Sequence, residues 1–271
     1  MRKFICITLL ALVTLSCSEF QKALKSEDTK VKLDMASKLF EAGKYSKAHR
    51  LYNQLLPKYR GKPQAERLMF RDAMCSYQMK DYHIAAYHFE RFENSYPRSD
   101  KAEEAAFLSA KSYYELSPVY SKEQKETIEA LDKLQLFINK YPDSEHLAEV
   151  NTLIKELDFK LERKAFEIAK QYNKIAYFES SDYEAAIKAF DNFLIDFPGT
   201  SFREEAMFYR LDSAYKLAVN SVRNKKEERL NIAVNYYNTF HKYYPNSERT
   251  EAVEKMNEEM QTQLKEINTE S

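Results

Sequence analysis

Tryptophan is absent from this chain, and glycine fills only three of its 271 positions. No phosphate-cradling loop and no nucleophile elbow is present, and both need closely spaced glycines. Cysteine occurs three times, at Cys6, Cys17 and Cys75, with no paired spacing suited to a metal. Cys6 is expected to leave with a signal segment and Cys17 to be modified, which excludes a disulfide framework. Cys75 sits in a helical pattern and reads as a small buried hydrophobe. Neither sign of charge dominates, with 42 basic and 42 acidic residues. Loss of residues 1–16 removes Arg2 and Lys3 and leaves 40 basic against 42 acidic residues, so no nucleic-acid footprint remains. Past residue 15 no run is apolar for the roughly 20 residues that a membrane-spanning helix takes.

The one long apolar run is Phe4 to Leu15, behind the basic pair Arg2-Lys3. It is short for a permanent span and has the proportions of a secretory signal peptide. A small-x-small cleavage site is missing, and the run ends in Thr14-Leu15-Ser16-Cys17. That end resembles a bacterial lipobox, with Thr14 where leucine is commonest. Residues 1–16 are therefore expected to be a lipoprotein signal peptide and Cys17 the lipidated first residue. The other reading makes Cys17 an ordinary thiol beside a conventional cleavage site. Each buried acyl methylene contributes roughly 0.8 kcal/mol, so several chains would retain an otherwise soluble domain. Residues 17–29, with Lys22, Lys25, Glu27 and Asp28, read as a tether or as the start of the first helix.

What the chain has in abundance is a repeat. Ser95-Tyr96-Pro97-Arg98-Ser99 returns as Lys140-Tyr141-Pro142-Asp143-Ser144, Asp196-Phe197-Pro198-Gly199-Thr200 and Tyr243-Tyr244-Pro245-Asn246-Ser247. Ahead of each proline stands the same spaced set: Tyr82, Ala85, Phe89 and Phe92, then Thr127, Ala130, Leu134 and Phe137. Tyr183, Ala186, Phe190 and Phe193 follow, then Leu230, Ala233, Tyr237 and Phe240. A worn copy is Tyr45, Ala48, Tyr52 and Leu55, with Pro57 out of register. Offsets of 3, 7 and 10 share one helix face. The alanine admits a neighbouring helix and the aromatics fill the groove beyond it. Proline stops the helix and pushes the preceding aromatic toward an extended backbone. Ser99, Ser144, Thr200 and Ser247 can then cap the next helix.

A first helix precedes each of these, marked by Met35, Ala36 and Leu39, by Met69, Ala73 and Tyr77, by Ala105, Ala106, Ala110 and Tyr113, and by Ala206, Tyr209, Ala214 and Tyr215. From about Glu145 to Glu179 the pattern is unpunctuated, and an unusually long helix is expected to stiffen the junction between two halves. Helix pairs with small and aromatic residues so spaced carry the tetratricopeptide signature. The chain is thus expected to be all-α, a superhelical solenoid of about five tetratricopeptide-like helix pairs, with an extended concave face. The expected division is residues 30–142, residues 143–250, and a C-terminal helix and tail at 251–271.

Little in this pattern points to catalysis. His49, His83, His88, His146 and His241 form no His-Glu-x-x-His pair, and structural roles are expected for all five. Glu103-Glu104 and Glu204-Glu205 sit near helix starts, where the macrodipole favours acid. No enzyme activity, metal or cofactor is expected. Binding of another protein is the positive alternative, with Tyr59, Tyr87, Tyr114 and Tyr236 as candidate contact residues.

Together, the lipobox-like end at Cys17, the five divergent repeats and the aromatic-Pro-x-Ser/Thr element resemble the BamD family of outer-membrane β-barrel assembly lipoproteins. The likeness covers roughly Ser26 to Lys265. It implies a lipid-anchored protein of the outer membrane facing the periplasm. It further implies binding to an Omp85-type barrel protein and to unfolded outer-membrane barrel precursors, helping to deliver or position them for folding and insertion. Residues 30–142 would then face substrate and residues 143–250 would scaffold the Omp85 partner. Related repeats also occur in periplasmic adaptors similar to CpoB, linked to Tol or peptidoglycan machinery, which is the alternative reading.

Overall fold

The computed structural model describes residues 19–176 and 181–269. Every regular element among them is a helix. After α1 (residues 19–25) come α2 (Thr29–Glu41) and α3 (Tyr45–Tyr59), α4 (Ala65–Gln78) and α5 (Tyr82–Ser95), then α6 (Ala102–Leu116) and α7 (Lys125–Lys140). They are followed by α8 (Leu147–Ile175) and α9 (Ser181–Asp196), α10 (Arg203–Val219) and α11 (Arg223–Tyr243), and α12 (Thr250–Thr269). The fold is all-α, built of stacked helix pairs of the tetratricopeptide-like kind.

The chain divides into two compact units between Leu157 and Asp158, within α8. In the first unit, Phe20 and Ala23 of α1 join Ala36 and Leu39 of α2, Ala48 and Leu51 of α3, and Leu68 and Cys75 of α4. Ala85, Phe89 and Phe92 of α5 then pack with Ala73 and Ala105. Ala130, Leu134 and Phe137 of α7 close against Ala110 of α6 and against Val150, Leu153 and Leu157 at the start of α8. The second unit repeats the scheme. Phe190 and Phe193 of α9 pack with Phe166 and Ala169 of α8 and Ala206 of α10. Leu230, Ala233 and Phe240 of α11 pack with Met207, Leu211 and Ala214 of α10 and with Val253 and Met260 of α12.

The turns that end α5, α7 and α11 share one geometry. Tyr96, Tyr141 and Tyr244 leave the helix at φ of −133°, −127° and −133°, as expected of a residue ahead of proline. Each still donates its N–H to the carbonyl four residues back, on Phe92, Phe137 and Phe240. The same aromatic rests on the last phenylalanine of its helix, with ring centroids 5.5, 5.4 and 5.6 Å apart, and Phe197 does so on Phe193 at 5.2 Å. The prolines themselves are exposed.

Two residues after each of these prolines, a hydroxyl does double work. Ser99, Ser144, Thr200 and Ser247 accept the N–H of Lys101, His146, Phe202 and Arg249 at 2.9 to 3.1 Å. The same hydroxyls donate to Glu66, Glu103, Glu162 and Glu204, each on the helix before last. Every turn is thereby pinned to the helix that opened its own repeat.

Candidate functional site

The first unit carries an open cavity of about 610 Å³ over α3, α4 and α5. Leu56 and Met69 give it an apolar wall, Arg60 and Arg91 a cationic rim, and Asp72 and His88 a polar floor. The worn repeat shapes one side. Pro57 does not end α3, which continues to Tyr59. Proline has no N–H, so the carbonyl of Asn53 four residues earlier loses its helical donor beside the cavity. Gly61 then turns the chain at φ +77°, a left-handed conformation that suits glycine.

Asp72 is 1% exposed, a carboxylate on an otherwise apolar stripe formed by Ala65, Leu68 and Cys75. His49 Nδ1 of α3 stands 2.7 Å from one of its oxygens and His88 Nδ1 of α5 stands 3.3 Å from the other. Asn53 Nδ2 lies 2.9 Å from Nε2 of His49. Burial alone would raise the Asp72 pKa, but the bonds from both histidines and their charges outweigh it and hold the carboxyl below its ordinary value. The hydrogen bond to Asp72 lifts His49 above its ordinary 6.5 against the opposing pull of burial. The floor is therefore a His–Asp–His triad contributed by three helices. Nearby, burial pushes the Cys75 thiol up to about 12, which leaves it without thiolate character.

The second unit has its own cavity of about 440 Å³, lined by Ile187, Leu217, the exposed Ile232 and Tyr236. Arg229 pairs with Glu184 across it. Arg210 stacks 4.2 Å over the Tyr236 ring and donates to Asp191 at 2.7 Å.

The chain matches the family model described as "YfiO: Outer membrane lipoprotein" over residues 28–176 and again over residues 175–270. The chain belongs to this family of outer membrane lipoproteins. A protein of Aquifex aeolicus (strain VF5) described as "Putative outer membrane protein assembly factor BamD" is 28% identical over 153 residues, which are 56% of this chain. The match spans about half of that relative, 48% of its length. Among solved structures, the "TPR2AB-domain:pHSP90-complex of yeast Sti1" is similar at 14% identity and a TM-score of 0.40, covering 86% of this chain and 98% of that one. A TPR repeats protein (BF2334) from Bacteroides fragilis NCTC 9343 is similar at 15% identity and a TM-score of 0.37, covering 88% of this chain and 100% of the other.

As a YfiO-family chain, this is a lipoprotein of the outer membrane. Cys17, the expected lipid anchor, lies outside the described residues. The spaced set is distributed as follows. Ala48, Ala85, Phe89, Phe92, Ala130, Leu134, Phe137, Tyr183, Ala186, Phe190, Phe193, Ala233 and Phe240 are buried. Tyr45, Tyr82 and Tyr237 are half-buried, while Pro97, Pro142, Pro198 and Pro245 face outward in their turns. Of the candidate contact tyrosines, Tyr87 is 57% exposed. Tyr59 packs against the first core, Tyr114 donates to Glu156, and Tyr236 lines the second cavity.

The histidines separate along similar lines. His146 stacks flat on Phe107 at 4.1 Å, His241 lies over Tyr237, and His83 is exposed. His49 and His88 meet at Asp72, an arrangement that no local spacing announces, since the three residues come from three helices. The available signal was Asp72 itself, an acid in an apolar stripe. Among the described residues no group of three or more His, Cys, Asp or Glu side chains is arranged to hold a metal.

Proposed function

We propose that this lipoprotein is a non-catalytic subunit of the outer-membrane β-barrel assembly machinery, facing the periplasm. On this reading it binds an Omp85-type barrel protein and helps deliver or position unfolded barrel precursors. Residues 30–142 receive the precursor and residues 143–250 scaffold the Omp85 partner. Barrel precursors are extended chains with unpaired strand edges. Holding them at a membrane-tied scaffold raises their effective concentration at the insertion site without any covalent step.

The observation that carries this reading is the open cavity over α3 to α5. Its apolar wall at Leu56 and Met69 accepts a large side chain of an extended segment, and Arg60 and Arg91 complement a carboxylate or backbone carbonyls. The relative named as an assembly factor supports the same reading.

The test is a mild-detergent pull-down of the full-length, lipidated protein from its own membranes, with an unrelated lipoprotein as control. The expected result is a stoichiometric Omp85 partner. Arg60→Glu with Arg91→Glu is expected to lose barrel precursors while keeping that partner. Recovery of Tol or peptidoglycan proteins without Omp85 would instead make the chain a periplasmic adaptor.

A further inference from the structure

From Glu19 onward the chain is held to the first repeat. Phe20, three positions after Cys17, is 2% exposed in the core of the first repeat, and Ala23 is buried beside it. Lys47 Nζ and the Arg50 guanidinium of α3 lie 5.5 and 5.4 Å from the centre of the Phe20 ring. The buried Lys32 of α2 donates to the carbonyl of Leu24 at 3.2 Å and also to Gln54. Glu19 pairs with Lys38 at 3.5 Å, and Glu27 with Lys58 at 3.4 Å. Within residues 17–29, expected to be a tether or the start of the first helix, residues 19–25 form a helix, and contacts at Glu19, Phe20, Leu24 and Glu27 fasten this stretch to the first repeat.

We propose that the first repeat lies directly on an anionic lipid surface, held there by α1 and met through Lys47 and Arg50. The proposal rests on acylation of Cys17, which the lipobox-like end and the family assignment support. Three residue steps span at most about 10 Å when fully extended, whereas a tether of residues 17–29 would reach roughly 40 Å. With Phe20 locked in the core, an acylated Cys17 leaves the repeat no room to stand off from the headgroups. The surface near this point is basic. Lys22 and Lys25 are exposed on α1, and Lys44 just ahead of α3 is followed by Lys47 and Arg50 at one-turn intervals on it. Of the acids on α1 and its following turn, Glu19 and Glu27 already have cationic partners, and Asp28 is engaged in capping α2. Anionic headgroups are the complement such a face takes.

The test uses the full-length lipidated protein in vesicles of phosphatidylethanolamine and phosphatidylglycerol. A donor dye is placed at Ser46→Cys, since Cys75 is buried, and an acceptor on the lipid headgroups. Efficient energy transfer is expected, falling severalfold when a long Gly-Ser linker is inserted between Ser18 and Glu19. Lys47→Glu with Arg50→Glu is expected to reduce transfer on these vesicles and to change it little on uncharged ones. Equal transfer with and without the linker would overturn the apposition. Transfer insensitive to the charge reversal would overturn the anionic contact. Intact mass shows the acyl chains independently, and their absence from Cys17 would overturn the lipid-anchor reading and this proposal with it.

Discussion

His49 donates from Nδ1 to Oδ1 of Asp72 across 2.7 Å, and His88 approaches the second carboxylate oxygen, so one buried acid fastens α3 and α5 to α4. Neither partner titrates at its ordinary value. His49 is raised above 6.5, so its contribution is full below pH 6.5 and fades as pH climbs through the folded value. Asp72 is lowered below 3.8, so its contribution is full above pH 3.8 and is lost as pH falls through the folded value.

The His49–Asp72 pair therefore supports the first unit most between pH 3.8 and 6.5. Asp72→Asn is expected to cost about 1.5–3 kcal/mol in that window, the range for a hydrogen bond to a charged group. The difference from the unaltered protein should shrink at higher pH. Urea unfolding across a pH series checks this, and a difference that stays flat with pH would sink the idea.

The hydroxyls that bridge two helices should matter more than ordinary caps. Ser144→Ala removes both the cap on His146 and the partner of Glu103. A loss of about 1–2 kcal/mol is expected. Ser144→Thr should retain most of it. Equal losses in the two variants would show that the hydroxyl is not the cause.

The small residue and the proline of each repeat should respond differently. Ala130 is fully buried and Pro142 is exposed. Ala130→Leu should overpack the α6–α7 contact and cost about 1–3 kcal/mol. Pro142→Ala should cost less than about 1 kcal/mol, mainly by loosening the unfolded chain. Calorimetry of the two variants side by side decides it, and the reverse order would refute the packing role of the alanine.

Lys80 holds a strained turn. It adopts φ +61°, and its N–H bonds to Tyr77 while that of Asp81 bonds to Ser76. The turn at Gly43, with φ +69°, makes the same pair of bonds: Gly43 N–H donates to Phe40 and Lys44 N–H to Leu39. Lys80→Gly is therefore expected to stabilise the chain by about 1 kcal/mol. A lower urea midpoint for the variant would contradict it.

Much of the fold was legible because its signals are local. Offsets such as Ala130, Leu134 and Phe137 lie within one helix, and the serine after each proline lies within one turn of the residue it caps. What escaped was non-local. Glu66 and Ser99 are 33 residues apart, and Glu204 and Ser247 are 43 apart. The acids at Glu103 and Glu204 read as macrodipole partners, whereas the structure gives them specific hydroxyls. The triad at the cavity floor was hidden for the same reason. Helix α1 was left as one of two readings, because one buried face carrying Phe20 and Ala23 is too short to establish a period.

The division inside α8 has a consequence for anyone cutting the gene. The turn at Tyr141-Pro142 is where a repeat visibly ends, yet a fragment stopping there would strip Leu134 and Phe137 of Val150, Leu153 and Leu157. Folding alone requires about three further turns of helix beyond the last legible boundary. The cassette that the sequence advertises and the cassette that can be lifted out intact are therefore different lengths.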